Sequence, residues 1–328
     1  MKKLRHHLET ASLSVAAWLL PRLPRRLVLA LAKGLGNLAY YLDARGRHCA
    51  QANLKCAFGG QFSSTEIQRI ARGSYQNFAR TFLDLFWAQR LTPANWESHV
   101  SIQLDDPTAE ATARAKGAVW VTPHFGNFEF VSLIWGFRGV PFTVVAQNFK
   151  NPALTQLFKG LREHTGHEVI PQEQAMLRLM KALKNRGHAG LLTDLNIKPG
   201  RAATVIDCFG LKTCVPTLHV ELAKRLGLAI ITGVCLPKPE GRYEVRIFEA
   251  IQPSAQEDTQ ALTQRIWNRF EEIIRQYPEY WIWMYKHWRY LPTPERDASY
   301  PDYANPSPAF CELIERARLP QVQIQNRG

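Results

Sequence analysis

Beyond about residue 95, short apolar segments alternate with longer amphipathic ones. The short segments have the length and β-branched content of buried strands, and the longer ones have helical periodicity. Strands are expected at 117–122, 142–146, 190–193, 229–234 and 243–248, and helices at 126–137, 153–166, 172–186, 214–226 and 257–276. Strands that alternate with helices build layered folds. We therefore predict an α/β fold with a mixed, mostly parallel sheet flanked by helices.

The first 48 residues differ in composition from the rest. Lys2, Lys3 and Arg5 precede an apolar run over 13–20, and a second apolar run over 27–42 follows two prolines and three arginines. Neither run reaches the roughly 18 to 20 apolar residues of a membrane-crossing helix, and no signal-peptide cleavage site follows the first. Short apolar helices with basic flanks can lie in a membrane interface. We expect an N-terminal membrane-associated helical region over 1–48, with a buried helical hairpin as the alternative.

The rest of the chain divides near residue 292. Residues 49–292 contain all the predicted strands and include, near their start, Ser63 and Glu66 at capping-box spacing, which predicts a helix. Residues 293–328 form a proline-rich tail, expected to wrap the domain or to extend from it as a loop. The expected organisation is therefore helical region, α/β domain and tail.

The chain carries a large positive charge. Its 328 residues include 41 Lys and Arg against 28 Asp and Glu, a formal net charge of +13. Hydrophobic residues make up 46%, which excludes a disordered or fibrous chain. The charge suits an anionic partner: nucleic acid, a membrane surface, or an acidic protein or substrate. The 6 cysteines show no CxxC pair and no zinc-finger spacing, so we expect reduced thiols and no metal site.

The candidate chemistry follows the first predicted strand, where the chain reads Pro123-His124-Phe-Gly126-Asn127-Phe-Glu129. Pro123 disfavours helical geometry for the residue before it, so a turn starts there and a helix begins near Asn127. His124 then lies at the carboxyl end of a strand, where open α/β sheets bind ligands. Glu129, in the first turns of the helix, can reach back to the imidazole, fix its tautomer and leave the other nitrogen as a base.

The same segment allows other interpretations. His124 can equally be a helix cap or a hydrogen-bonded core residue. If the segment is catalytic, the amide groups of Gly126 and Asn127 are candidate donors to an oxyanion. A metalloprotease helix would need two histidines four residues apart, and a serine hydrolase would need a Gly-x-Ser-x-Gly segment. The sequence has neither motif.

Several segments, in order, resemble the bacterial lipid A biosynthesis acyltransferases. The segment His-Phe-Gly-Asn-Phe-Glu at 124–129 is similar to the His-x4-Glu catalytic motif of that family. Asn-Leu-Lys-Cys-Ala-Phe at 53–58, Ser-Tyr-Gln-Asn-Phe at 74–78, and Asn151-Pro152 with Arg162 resemble its next blocks. Thr-Asp194-Leu-Asn196, the segment 207–213 and Tyr-Pro-Glu-Tyr-Trp-Ile-Trp at 277–283 resemble the last ones. The resemblance covers roughly residues 20–290.

The resemblance implies transfer of a fatty acyl chain from an acyl carrier protein thioester, or from acyl-CoA, to a hydroxyl of an anionic membrane lipid. The acceptor it implies is a lipid A precursor, in lipopolysaccharide biosynthesis at the cytoplasmic face of a bacterial inner membrane. It requires no metal and no bound cofactor. Nucleic acid is not expected as a partner, because the sequence has no helix-turn-helix, zinc-finger or RNP-type signature.

The resemblance also implies roles for single residues. His124 would deprotonate the acceptor hydroxyl, and Glu129 would hold and stabilise the imidazolium. Arg162 would contact a phosphate or the oxyanion. Asp194 would orient Arg162 or cap the loop that follows Asp194 itself, and Asn196 would belong to the same substrate-binding set as the amides of Gly126 and Asn127.

Two departures from the family pattern leave the acceptor open. Gln147-Asn148 stands where the family usually has Arg-Pro, and Tyr285-Lys286-His287 stands where His-Arg-Arg is common. Another glycolipid, an aminolipid or a lysophospholipid is therefore an alternative acceptor. A non-catalytic basic peripheral membrane protein is the alternative outside enzymes. The aromatic and basic run over 281–290 indicates either a headgroup boundary or a core strand.

Overall fold

A computed structural model describes residues 2–318. Within that range the helices are α1 Lys2–Leu19, α2 Arg25–Leu42, α3 Ala44–Phe58, α4 Ser64–Trp87, α5 Thr108–Lys116, α6 Phe128–Phe137, α7 Pro152–Glu163, α8 Ala175–Lys184, α9 Leu218–Leu226, α10 Thr259–Gln276 and α11 Pro308–Arg318. The strands are β1 Val100–Leu104, β2 Ala118–Thr122, β3 Phe142–Ala146, β4 Glu168–Pro171, β5 His188–Leu192, β6 Ala203–Cys208, β7 Leu211–Pro216, β8 Ile230–Pro237, β9 Tyr243–Ile247, β10 Tyr290–Leu291 and β11 Asn305–Pro306.

A seven-stranded sheet organises the molecule, in the order β1-β9-β8-β2-β5-β3-β4. Its strands pair in parallel except for β8 with β9, which are antiparallel. All five residues of the central strand β2 are buried, as expected for a parallel strand covered on both faces. One hydrophobic cluster contains Trp120 and Phe130, and another contains Val121 and Phe270. The predicted mixed, mostly parallel α/β fold is confirmed.

The first four helices pack on one another before the sheet begins. The capping box predicted at the start of α4 is present: the hydroxyl of Ser63 accepts from the amide of Glu66 at 3.3 Å, and the Glu66 carboxylate accepts from the amide of Ser63 at 2.8 Å. Helix α2 lies along α4 and buries Val28, Ala32 and Tyr40. Among residues 2–318, no helix has the length and apolar composition needed to cross a membrane.

Two elements differ from the sequence prediction between 200 and 226. The helix predicted over 214–226 begins at Leu218, because residues 211–216 form β7 and pair with β6 in an antiparallel hairpin. The hairpin turn contains Phe209 and Gly210, both with positive φ, which suits the tight turn of a two-residue hairpin loop. The short strands β1 and β4, at opposite edges of the sheet, are also absent from the prediction.

The predicted tail over 293–328 is partly helical. Helix α11 packs Phe310 and Ile314 against Val205 and Cys214 of the β6–β7 hairpin. The hydroxyl of Tyr303 donates to the side chain of Asn53 in α3, so this part of the chain wraps the domain. Residues 319–328 lie outside the described residues, and the predicted boundary at residue 48 falls inside α3.

Candidate active site

The turn after β2 positions His124. Pro123 ends the strand and Asn127 caps α6, its side-chain oxygen accepting from the amide of Phe130 at 3.2 Å. Between them Gly126 has φ of 56°, and a Cβ placed there would lie 1.9 Å from the carbonyl oxygen of Cys235. A left-handed residue in such close contact with backbone must be glycine. The turn therefore fixes His124 at the carboxyl end of the central strand.

Asp194 is the partner of His124. It follows β5, which pairs in parallel with β2, so the ends of the two strands meet at the same edge of the sheet. Its Oδ1 lies 2.8 Å from His124 Nδ1, and its Oδ2 accepts from the His124 amide at 2.9 Å. Oδ2 also accepts from the indole of Trp281 at 2.8 Å. These contacts hold a fully buried carboxylate against one nitrogen of the imidazole.

The charge state of Asp194 follows from these contacts. Burial by itself would raise the pKa of the carboxyl, but the charge of His124 and the hydrogen bonds from His124 and Trp281 outweigh it, and the pKa lies below its ordinary value. An ionised Asp194 accepts the Nδ1 proton and leaves Nε2 with a free lone pair. His124 lines a cavity, and its ring Nε2 bonds to no side chain or backbone group between residues 2 and 318. The arrangement can accept a proton from a molecule in that cavity.

The structure corrects the predicted role of Glu129 as the partner of His124. Glu129 pairs with Arg162 instead: Arg162 Nη2 lies 2.7 Å from Glu129 Oε1, and its Nε lies 3.0 Å from Oε2. The charge of Glu129 raises the pKa of Arg162. The prediction that Asp194 orients Arg162 is wrong for the same reason, because the two carboxylates have exchanged partners. Both residues of the Glu129–Arg162 pair line the same cavity as His124.

The predicted oxyanion donors are already occupied. The amide of Gly126 donates to the Tyr280 carbonyl at 3.0 Å, and the amide of Asn127 donates to the Cys235 carbonyl at 2.9 Å. These bonds hold the turn in place, so the two amides cannot face a substrate. Across the described chain, the next two amides, of Phe128 and Glu129, donate to no protein acceptor. Both residues line the cavity.

A buried carboxylate, Asp84 of α4, joins the turn over 123–127 that carries His124 (the catalytic turn) to the N-terminal helices. It accepts from Asn127 Nδ2 at 3.2 Å and from the hydroxyl of Tyr243. It also forms a two-point ion pair with Arg25, at the start of α2, with one contact at 3.0 Å. A second guanidinium, that of Arg80, lies 3.9 Å away. The cap of α6 is thus tied to α2 through a single side chain.

The cavity beside His124 is apolar in its depth and has a volume of about 580 Å³. Its walls come from the sheet and from α4, α6 and α7, and include Leu85, Trp120, Val131, Phe142 and Phe158. Its lining also includes residues that are 38% to 43% exposed: Phe78, Phe82, Phe149 and Leu192. A mostly apolar cavity with one imidazole and one ion pair suits a ligand with a hydrocarbon chain and a polar reacting end.

Asn196 does not reach the cavity. Its side chain is buried, and its Nδ2 donates to the hydroxyl of Thr213 at 3.0 Å. Its backbone oxygen accepts from the hydroxyl of Tyr285 at 2.7 Å. These contacts support the loop that follows Asp194, and the substrate-binding role of Asn196 stays a prediction.

The C-terminal aromatic run is core rather than a headgroup boundary. Trp281, Trp283 and Trp288 are fully buried, and the ring of His287 stacks on that of Trp281 at 3.8 Å. Sequence reasoning therefore missed Trp281 as a direct support of Asp194. Its fixed position after a Tyr-Pro-Glu-Tyr segment gave no local signal of that contact. Of the two departures from the family pattern, Gln147 lines the cavity, whereas 285–287 do not.

Among residues 2–318, no group of three or more histidine, cysteine or acidic side chains is placed to hold a metal ion. The cysteines are free, and burial raises the pKa of Cys49 and Cys56 to about 11 and that of Cys214 to about 12. Thiols with raised pKa values are poor nucleophiles at neutral pH. His124 and the Glu129–Arg162 pair are therefore the reactive features that face the cavity.

Known proteins resemble this chain over most of its length. Residues 1–290 match the family described as bacterial lipid A biosynthesis acyltransferase. The phosphatidylinositol mannoside acyltransferase of Mycolicibacterium smegmatis is 28% identical over 284 residues, which span 83% of this chain and 89% of that protein. Proteins of the same name from two strains of Mycobacterium tuberculosis are 27% identical over 225 residues, 66% of this chain and 69% of theirs. The chain belongs to the bacterial lipid A biosynthesis acyltransferase family and is an acyltransferase.

Proposed function

We propose that this enzyme transfers a fatty acyl group from a thioester donor to a hydroxyl of a membrane glycolipid, with His124 as the general base. The observation that carries the proposal is the position of His124, whose free Nε2 lies at the wall of an apolar cavity while Asp194 holds Nδ1. A glycolipid acceptor covers both the lipid A precursor of the family description and the phosphatidylinositol mannoside in the names of the relatives.

In the proposed reaction, Nε2 of His124 takes the proton of the acceptor hydroxyl as its oxygen attacks the thioester carbonyl. The thiolate then leaves from the tetrahedral intermediate and receives that proton from the imidazolium. Asp194 stabilises the imidazolium, because a buried carboxylate interacts strongly with a charge 2.8 Å away. The reaction needs no redox step, and its atoms balance as ester plus free thiol.

The oxyanion of the intermediate needs donors other than the two amides predicted. We assign this role to the amides of Phe128 and Glu129, in the first turn of α6, where the helix dipole also favours negative charge. The guanidinium of Arg162 brings a full positive charge to the cavity lining, and Glu129 holds it in one orientation by two contacts. On this basis we propose that Arg162 contacts the oxyanion or a phosphate of the substrate.

The donor and acceptor can be identified directly. Purified full-length protein is incubated with labelled acyl carrier protein thioester or acyl-CoA, together with a lipid A precursor or a mannosylated phosphatidylinositol, and the extracted lipids are analysed by mass spectrometry. We expect label in an alkali-labile ester on one of the glycolipids. Transfer to a lysophospholipid or an aminolipid alone would overturn the glycolipid proposal while leaving the chemistry intact.

A pair of histidine variants tests the mechanism. His124→Ala removes the base and is expected to lower kcat by at least about 10³-fold, since base catalysis and the coupled charge stabilisation are lost together. His48→Ala is the matched control, because this imidazole lies exposed on α3 beside Asp302. Unchanged turnover in His124→Ala would refute His124 as the base.

We also propose that α1 and α2 attach the enzyme to the cytoplasmic face of a bacterial inner membrane. The outward face of α2 carries leucines that are 40% to 75% exposed, namely Leu27, Leu31, Leu35, Leu38 and Leu42. Helix α1 adds Leu4, Leu8, Val15 and Trp18, each more than half exposed. Arg22 and Arg26 lie between the two faces in sequence and are exposed. An apolar face with basic flanks favours anionic lipid surfaces.

Vesicle co-sedimentation tests this attachment. Leu31→Glu combined with Leu35→Glu is expected to lower binding to anionic vesicles at least about tenfold, because it places charge on the face that enters the lipid. Leu177→Glu is the control, since Leu177 is 67% exposed on α8, outside both N-terminal helices. Equal binding by the double variant and the control would overturn the proposed membrane face.

A further inference from the structure

The cavity has a floor at a definite level of the sheet. Strand register places Trp120 beside Gly190 and Ile231, and Gly190 beside Val144. All four residues line the cavity. Because strand residues two apart share a face, Trp120 lies on the same face of β2 as Thr122, two residues nearer to the catalytic turn. The side chain of Trp120 therefore lies on the path from His124 into the depth of the fold.

The next level down is closed. There the register aligns Ala118 with His188 and His188 with Phe142. Of these three, Phe142 lines the cavity. Its ring lies 5.0 Å from the ring of Trp120 at an angle of 30°. The two aromatic rings together form the floor.

Trp120 is held rigidly in this position. Its side chain is 3% exposed and packs against Trp135, with ring centroids 4.7 Å apart. Its indole nitrogen donates to Nδ1 of His188 at 3.3 Å. Burial lowers the pKa of His188 to about 4, so the ring is neutral near pH 7 and its Nδ1 can accept. A side chain packed on one side and hydrogen-bonded on the other resists displacement by a ligand.

We infer that Trp120 sets the upper limit on the length of the acyl chain that this enzyme transfers efficiently. The inference rests on the proposed acyl transfer and adds the residue that measures the chain. Trp120 and His124 are four positions apart in an extended part of the chain, about 13 Å at 3.3 Å per residue. Carbon–carbon bonds of about 1.5 Å advance an extended chain by roughly 1.25 Å each, so roughly ten carbons reach the floor. A longer chain must bend or displace the indole.

Competition between donors tests the inference. Even-numbered acyl-CoA donors from octanoyl to eicosanoyl are mixed in equal amounts with the full-length enzyme and acceptor, and the product distribution is measured by mass spectrometry. Trp120→Leu lowers the floor, and Phe142→Leu lowers its other half. Ala146→Leu places a larger side chain nearer the mouth and so shortens the cavity, because Ala146 lines the cavity two residues beyond Val144. Trp96→Leu is the control: this tryptophan is buried in the same hydrophobic cluster but is not part of the cavity wall.

We expect the preferred chain to lengthen by at least two carbons in Trp120→Leu, to lengthen less in Phe142→Leu and to shorten by about two in Ala146→Leu. Trp96→Leu should keep the wild-type profile. A wild-type profile in both floor variants would overturn the inference. If Trp120→Leu fails to fold by circular dichroism, Phe142→Leu carries the test. If the wild type transfers no chain at all, the proposed function fails instead, and calorimetric binding of the same donor series then tests the floor separately.

Discussion

Replacing Asp194 by asparagine tests whether Asp194, rather than Glu129, is the functional partner of His124. In the wild type three N–H groups converge on Asp194: Oδ2 accepts from the His124 amide and from Trp281, and Oδ1 accepts from His124 Nδ1. Asparagine offers one oxygen and one NH2 group. The orientation that keeps its oxygen at the Oδ2 position preserves two of the three bonds. The flipped orientation would face two buried donors with an NH2 group, at a cost of about 1–3 kcal/mol for each unpaired donor, so the first orientation wins.

In that orientation the NH2 group of the new asparagine side chain donates to Nδ1 of His124. The imidazole must then carry its proton on Nε2, the atom that has to accept one, and the base is lost without loss of the fold. The equivalent change in serine proteases costs about 10⁴-fold in kcat, or about 5.5 kcal/mol. We expect a fall of about 10³- to 10⁴-fold in kcat here, with KM changed by less than about threefold because the apolar cavity is intact.

The assay combines initial rates of acyl transfer with ¹⁵N chemical shifts of the His124 ring, which report the tautomer directly. Glu129→Gln is the matched comparison, since it makes the same chemical change in the carboxylate that sequence spacing favoured. Activity of Asp194→Asn within about tenfold of the wild type would refute the reasoning. A larger loss of activity in Glu129→Gln than in Asp194→Asn would also refute it, because that result would make Glu129 the functional partner of the imidazole.

Three further outcomes are expected. Gly126→Ala should prevent folding or activity, as judged by circular dichroism and turnover, because the Cβ would lie 1.9 Å from the Cys235 carbonyl oxygen at a φ of 56°. Glu129→Gln should lower kcat/KM about tenfold, or about 1.4 kcal/mol, because Arg162 keeps its charge but loses its ionic partner; Glu129→Asp should recover part of the loss. In urea titrations the free energy of unfolding should fall as the pH is lowered from 6.5 to about 4. The reason is that burial lowers the pKa values of His167, His188 and His287 to about 4. The unfolded chain binds these protons first, so each such group contributes up to about 3 kcal/mol, and a flat profile would contradict the burial.

The sequence determines much of the fold through local patterns. The capping box at Ser63 and the apolar strand before the catalytic turn are short-range features, and the structure has both. The β6–β7 hairpin was missed because Phe209, a bulky residue, takes the positive φ that usually identifies a turn through Gly or Asn. Its flanking apolar residues have no unique period, so helix and strand were not distinguishable there.

The partner of His124 was missed for a different reason. Asp194 is 70 residues away in sequence, and only the pairing of β2 with β5 brings it to the imidazole. Glu129, five residues along, is near in sequence but lies where Arg162 neutralises it. A usable signal did exist, since both His124 and Asp194 directly follow apolar strands, and the ends of neighbouring parallel strands meet. Strand order, which no local pattern supplies, was the missing information.

The ion pair between Arg25 and Asp84 has a practical consequence for anyone who prepares this enzyme. A shortened chain that starts after residue 48 would remove the exposed leucines of α1 and α2. It would also remove Arg25 from its ion pair with Asp84, with Arg80 at 3.9 Å as the remaining cation. Removing one member of a buried pair typically costs about 3–5 kcal/mol. Because Asp84 also accepts a hydrogen bond from the Asn127 side chain, the catalytic turn would be less well ordered in this fragment than in the full chain.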